Sequence, residues 1–126
     1  MYPENFGQLA YDYSNKKNFL NKSAALLRTV AKGFPDLDCR VKKNEGGIAV
    51  GGDVYLYVNG VEKGVLVTIT HSPISSQRAD GVICYLQPRL PDKTGKFTVL
   101  PVNAPNRYVA LDAQRIQAEV QRMLAA

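Results

Sequence analysis

His71 is the only histidine in the chain, and Ser72, Ser75, Ser76 and Asp80 follow it in one polar stretch, residues 71–80. These are the residue types of a Ser-His-Asp set. A triad, however, needs its base held by one partner and aimed at the other. A single loop rarely fixes all three groups that rigidly. The expectation is therefore a strand-end histidine followed by a Ser/Pro-rich turn. The loop is longer than a hairpin requires, which keeps it open as a binding site. Cys39 and Cys84 each sit in an apolar, β-like run and read as small core residues. They could form a disulfide only from neighbouring strands, and a reducing compartment argues against one. Two thiols and one distant imidazole match no metal-ligand spacing, so no metal and no cofactor is expected.

Three short patterns resemble known chemistry. Ser14-Asn15-Lys16-Lys17, Tyr57-Val58-Asn59 and Lys93-Thr94-Gly95 occur in that order. They are similar to the S-x-x-K, Y-x-N and K-T-G elements of penicillin-binding proteins and serine β-lactamases. There the serine attacks, a lysine one turn later activates it, and K-T-G holds a carboxylate. That fold needs a far longer chain. Here Tyr57-Asn59 also falls at a hairpin turn, and Lys93-Gly95 in a loop beside Pro91. Pro35-Asp36 resembles the opening of P-D…(D/E)-x-K nucleases, but no acidic-x-Lys triplet follows to complete a metal cage. Gly46-Gly47 and Gly51-Gly52 precede neither a Gly-Lys-Ser/Thr run nor a helix start, so they read as turn and bulge glycines.

Charge placement is the remaining signal. The net charge of +5 permits a polyanionic partner without requiring one. Between Asp12 and Asp36 there is no acid, yet Lys16, Lys17, Lys22, Arg28 and Lys32 occur there. On a helical wheel Lys17, Lys22, Arg28 and Lys32 lie opposite the apolar stripe, with Asn18 and Asn21 between them. Arg40, Lys42 and Lys43 follow on the next strand. If strand and helix face solvent side by side, one positive surface results. Such a surface neutralises phosphates with little sequence preference. Tyr55 or Tyr57, if exposed, would add base stacking.

These residues need elements to position them. Ser14 can cap a helix over about 15–32, and Phe19, Leu20, Leu26, Leu27, Val30 and Ala31 recur on one face. Gly33 in a left-handed conformation, then Phe34 and Pro35, would end it. Ahead of it, Tyr2, Phe6, Leu9, Tyr11 and Tyr13 could pin an N-terminal arm. Leu37, Cys39 and Val41 alternate with Asp38, Arg40 and Lys42 as a half-buried strand does. A strand over 48–58, bulged at Gly51-Gly52, then leads into a hairpin. Asn59-Gly60, both tolerant of positive φ, mark its turn, and the hairpin spans about 53–70. A strand over 82–87 ends at Pro88. A short one over 97–102 carries Pro101, an edge signal. Residues 103–110 read as an irregular connection. Asp112 caps a final helix to about 125, with Ile116, Val120, Met123 and Leu124 inward and Arg115, Glu119 and Arg122 pairing outside.

The fold class expected is α+β: an antiparallel sheet of about four or five strands packed by an N-terminal and a C-terminal helix. The 126 residues read as one domain, 1–126. No apolar run reaches the ~20 residues of a membrane span, and the first residues lack a signal peptide's pattern, so the expected address is cytoplasmic. The helix–strands–helix order is similar to double-stranded RNA-binding domains. Their second helix starts with a lysine cluster, whereas here that start reads Leu111-Asp112-Ala113-Gln114-Arg115. No family is assigned on it.

The function expected is a small non-enzymatic binding protein. Its first partner is nucleic acid, through Lys17, Lys22, Arg28, Lys32, Arg40 and Lys42. The alternative is a protein–protein interaction module (accessory, adaptor or inhibitor protein, or a homodimer) using the 97–102 edge or the sheet tyrosines. An enzyme built on the 71–80 loop is third.

Overall fold

The first helix forms where its apolar residues recur at three- and four-residue spacing. In the computed structural model it is α1 (Tyr13–Ala31). The structure describes residues 13–44, 52–60, 63–71, 81–91, 97–99 and 106–125. The N-terminal arm, the glycine pair at 46–47, the loop at 72–80, the turn at 92–96 and Pro101 lie outside these. Phe19, Leu20, Ala24, Leu26, Leu27 and Val30 are buried along one side of α1. Burying a side chain of this size contributes about 1.5–3 kcal/mol, so the stripe outweighs the helix's weak intrinsic propensity. Ser14, the expected cap, lies inside the helix, and its side chain is outside the described residues.

α1 ends differently from the expectation. Gly33 does not take positive φ; among the described residues only Gly81 does. The chain instead tightens into i→i−3 bonds, with Gly33 N–H donating to Val30 O and Phe34 N–H to Ala31 O. That leaves the Thr29 carbonyl outside the ladder. The Gln117 amide supplies its donor, reaching Thr29 O at 3.1 Å and Val30 O at 3.2 Å. A Cβ at residue 33 would stand 2.9 Å from Gln117 Nε2. Glycine therefore lets the Gln117 side chain from the other helix approach without being displaced.

The strands are β1 (Asp38–Asn44), β2 (Asp53–Asn59), β3 (Gly64–His71), β4 (Val82–Pro91), β5 (Phe97–Val99) and β6 (Arg107–Val109), followed by α2 (Ala113–Ala125). β1 to β5 form an unbroken antiparallel path in chain order, and β6 pairs with β4. Two helices against one antiparallel sheet make the α+β class expected from the sequence. Two details differ. Residues 107–109 form a strand rather than an irregular connection. β4 also runs through Pro88 instead of ending there. On its outer side β4 pairs with β6 at Cys84–Leu86 and with β5 at Arg89–Pro91. Pro88 falls between these two pairings, and among the described residues no outer strand pairs with it.

The β2–β3 turn also differs in cause. Neither Asn59 nor Gly60 has positive φ. Gly60 N–H donates to Lys63 O at 2.9 Å, and a Cβ on Gly60 would lie 2.8 Å from that oxygen. Close backbone approach is what requires glycine here.

Period-two alternation gives the sheet two unlike faces. Val54, Leu56, Val58, Val65, Val67, Ile69, Val82, Cys84 and Leu86 point to one face and form a single core cluster with both helices. α1 lies over β1 and β2, α2 over β3 and β6, and the helices touch each other. Ile116 and Val120 are the buried residues of α2. Asp112 caps it as expected, accepting from Arg115 N–H at 3.0 Å. Glu119 pairs with Arg122 at 2.6 Å, and its second partner is Arg107 of β6 at 3.1 Å rather than Arg115. No helix among the described residues is long and apolar enough to cross a membrane.

Candidate nucleic-acid interface

The six basic residues singled out from the sequence fall on two surfaces. Lys17, Lys22 and Arg28 are exposed on the outer side of α1, as the wheel implies, and Lys32 is exposed just past its end. Lys16 is turned inward and only 3% exposed, so four of these five bases face out. Arg40 and Lys42 do not join them. Cys39 and Val41 pack into the core beside α1, so their neighbours in β1 point to the opposite face. The strand residue that extends the helix surface is Lys43, whose Nζ donates to Asn21 Oδ1 on α1 at 3.2 Å.

Among the described strands β1 is the end of the path, so its three bases straddle that end strand. Lys43 continues the α1 surface on one face; Arg40 and Lys42 begin the other. The result is a basic band folded over the β1 edge. Charged side chains on an edge strand also discourage pairing with a second chain. The edge expected to accept a partner strand, residues 97–102, is represented by β5, an end of the same path.

The face away from the helices carries a set of tyrosines. The register aligns Lys42, Tyr55, Thr68, Tyr85 and Tyr108 in one row across β1, β2, β3, β4 and β6. The next row holds Arg40, Tyr57, Leu66 and Gln87. Four of the chain's seven tyrosines therefore lie on this face. Ring centroids are 6.3 Å apart for Tyr55–Tyr57 and 5.9 Å for Tyr85–Tyr108, both tilted. The Arg89 guanidinium sits 4.8 Å from the Tyr57 ring centre, a cation–π distance. Burial lowers the Arg89 pKa from its ordinary value, and Tyr57 pulls the other way. Tyr108 is 65% exposed.

Among the described residues, both acids on this face are engaged. Asp38 accepts from Arg40 Nε at 3.3 Å. Asp53 accepts from Tyr55 OH at 3.4 Å and from Thr70 Oγ1. Burial first, and the nearby Asp53 charge, raise the Tyr55 pKa, while a hydrogen bond with Asn44 opposes them. Two polar atoms stand out beside these pairs. Thr68 Oγ1 and Asn59 Oδ1 are buried and have no hydrogen-bond partner among the described residues. Thr68 is only 2% exposed, although its register places it between two tyrosines on the face away from the helices.

Other candidate chemistry stays dispersed. β1 and β4 are three strand spacings apart, about 14 Å, so Cys39 and Cys84 cannot form a disulfide. Burial pushes the Cys84 thiol up to about 12. Burial and then the Asp38 charge raise that of Cys39, whose Sγ is 3.8 Å from Phe34 O. No group of three or more potential metal ligands converges among the described residues. His71 ends β3 opposite Val82; the serines and Asp80 of its loop lie outside the described residues. A shallow groove of about 690 Å³ lies between β6 and α2 beside Arg107, Arg115, Glu119 and Arg122.

No protein-family model matches the chain, and neither the curated proteins nor the solved structures gave a match.

Proposed function

We propose that the protein binds nucleic acid through the basic band that folds over the β1 edge. One observation carries the reading: α1 bears Lys17, Lys22 and Arg28 on its outer side with no acid among its residues, Lys32 follows directly after its last residue, and Lys43 of β1 extends that surface. Cations of this density attract a phosphate backbone and release its counterions. Arg40 and Lys42 carry the positive charge across the edge to the tyrosine face. The interface is electrostatic and has low sequence preference.

Charge reversal tests it. Lys22→Glu, Arg28→Glu and Lys32→Glu together should abolish retention of DNA and RNA oligonucleotides at low salt. An acid near the helix's C-terminal end opposes its dipole by about 0.3–1 kcal/mol, too little to unfold the domain. Unchanged retention by a folded triple variant would sink the assignment.

A further inference from the structure

We infer that the face of the sheet away from the helices is a stacking platform for single-stranded nucleic acid, with Thr68 placed to hydrogen-bond a base held between Tyr55 and Tyr85. The inference rests on the nucleic-acid reading and names the strand state and the base-binding surface.

Three observations converge. First, the tyrosines are aligned. Tyr55, Tyr85 and Tyr108 share one register row, and Tyr57 lies beside Tyr55 in the next. Flat sheets with surface aromatics stack about two or three bases in this way. Arg89 lies over Tyr57 and makes that ring a cation–π pair. Second, charge is placed for a backbone. Lys42 begins the tyrosine row and Arg40 the next, both at the β1 edge, where Lys43 continues onto α1. A strand can thus lay its bases on the rings while its phosphates follow the band. Third, the face holds buried polar atoms that are unpaired among the described residues. A buried hydroxyl without a partner forfeits about 1–3 kcal/mol, and native structures keep few such groups. Thr68 Oγ1 is one, in the middle of the tyrosine row, and Asn59 Oδ1 is another on the same face. Base edges offer the donors and acceptors that such atoms need.

A duplex would not serve. Its base faces are stacked inside, so the rings would find only backbone. Single strands expose base faces, and every base can stack on tyrosine. The platform therefore predicts a preference for single strands with little regard to sequence.

The test uses the full chain with a labelled 12-residue oligo-dT and a hairpin duplex of equal charge, followed by anisotropy. The chain has no tryptophan, so tyrosine emission can be read directly. Oligo-dT should bind more tightly than the duplex and quench tyrosine emission to saturation. Tyr108→Ala and Tyr85→Leu should each weaken oligo-dT binding by about fivefold to 150-fold. The phenylalanine versions should stay within about twofold, since the ring is kept. Thr68→Val should weaken oligo-dT binding while leaving the melting temperature unchanged or higher. Should Tyr85→Leu fail to fold, Tyr108→Ala alters an exposed ring and carries the test alone. Wild-type affinity in the tyrosine variants, with binding still lost on charge reversal of α1, would overturn the platform and leave the proposed function standing. Failure of every oligonucleotide to bind at low salt would overturn both.

Discussion

Replacing Gly33 by alanine should change sign in its effect on stability according to what stands at residue 117. In the native protein the added Cβ meets Gln117 Nε2 at 2.9 Å, Cδ at 3.0 Å and Cγ at 3.3 Å. The amide must withdraw and release the Thr29 and Val30 carbonyls. Each net hydrogen bond contributes about 0.5–1.5 kcal/mol. The Val30 oxygen keeps its bond from Gly33 N–H, and Thr29 is exposed enough to recover water, so the loss should sit near the low end, about 1–2 kcal/mol. Against it stands the unfolded-chain entropy removed by Gly→Ala at an ordinary φ, about 0.4–1 kcal/mol in favour of the variant. Gly33→Ala alone should therefore destabilise by up to about 1.6 kcal/mol, with a midpoint of about 0.8 kcal/mol or roughly 3 °C. With Gln117→Ala already present the clash is gone, and the same change should stabilise by about 0.4–1 kcal/mol. Urea unfolding of the four proteins gives the coupling directly. Additivity within about 0.3 kcal/mol would refute this account of how α1 ends against α2.

Two further outcomes follow from the ionisable groups. The Arg122 hydrogen bonds, with help from the charges of Arg122 and Arg107, hold the Glu119 carboxyl below its usual pKa despite some burial. A depressed carboxyl contributes stability above its unfolded pKa, and loses it as pH falls through the folded one. The melting-temperature gap between wild type and Glu119→Gln should thus be largest near neutrality and close in acid; a gap that widens in acid would contradict the ion-pair geometry. Both thiols lie above the ordinary cysteine range, Cys84 near 12. A thiol reagent at pH 8 should label Cys39 slowly and Cys84 only after denaturation. Rapid native labelling of Cys84 would show that its strand is not buried as described.

Much of this architecture could be read along the chain because it repeats locally. The α1 stripe, the β1 to β3 alternation and the Asp112 cap each involve residues a few positions apart. What escaped depends on distant contacts. Gly33 looked like a left-handed cap because nothing near it in sequence announces Gln117. Pro88 looked like a strand end because the gap between β5 and β6 is set by residues that follow it. β6, with three residues and one core-facing side chain in Val109, is too short to show alternation. The site was legible in part. The acid-free face of α1 was visible directly. The separation of Arg40 and Lys42 from it follows from β1's own alternation once the helix is placed on the apolar face. The tyrosine row was not visible, because it exists only in the register that joins Tyr55, Thr68, Tyr85 and Tyr108.

The most direct test is the dissociation constant for a single-stranded oligonucleotide, measured across a series of salt concentrations. If about four to seven cations of the band meet phosphates, log affinity should fall against log salt with a slope of about −3 to −5. Affinity would then drop by about fiftyfold to a thousandfold between 50 and 200 mM. No binding at the lowest salt, or a slope shallower than about −1, would contradict the claim that the basic band over the β1 edge is the functional surface.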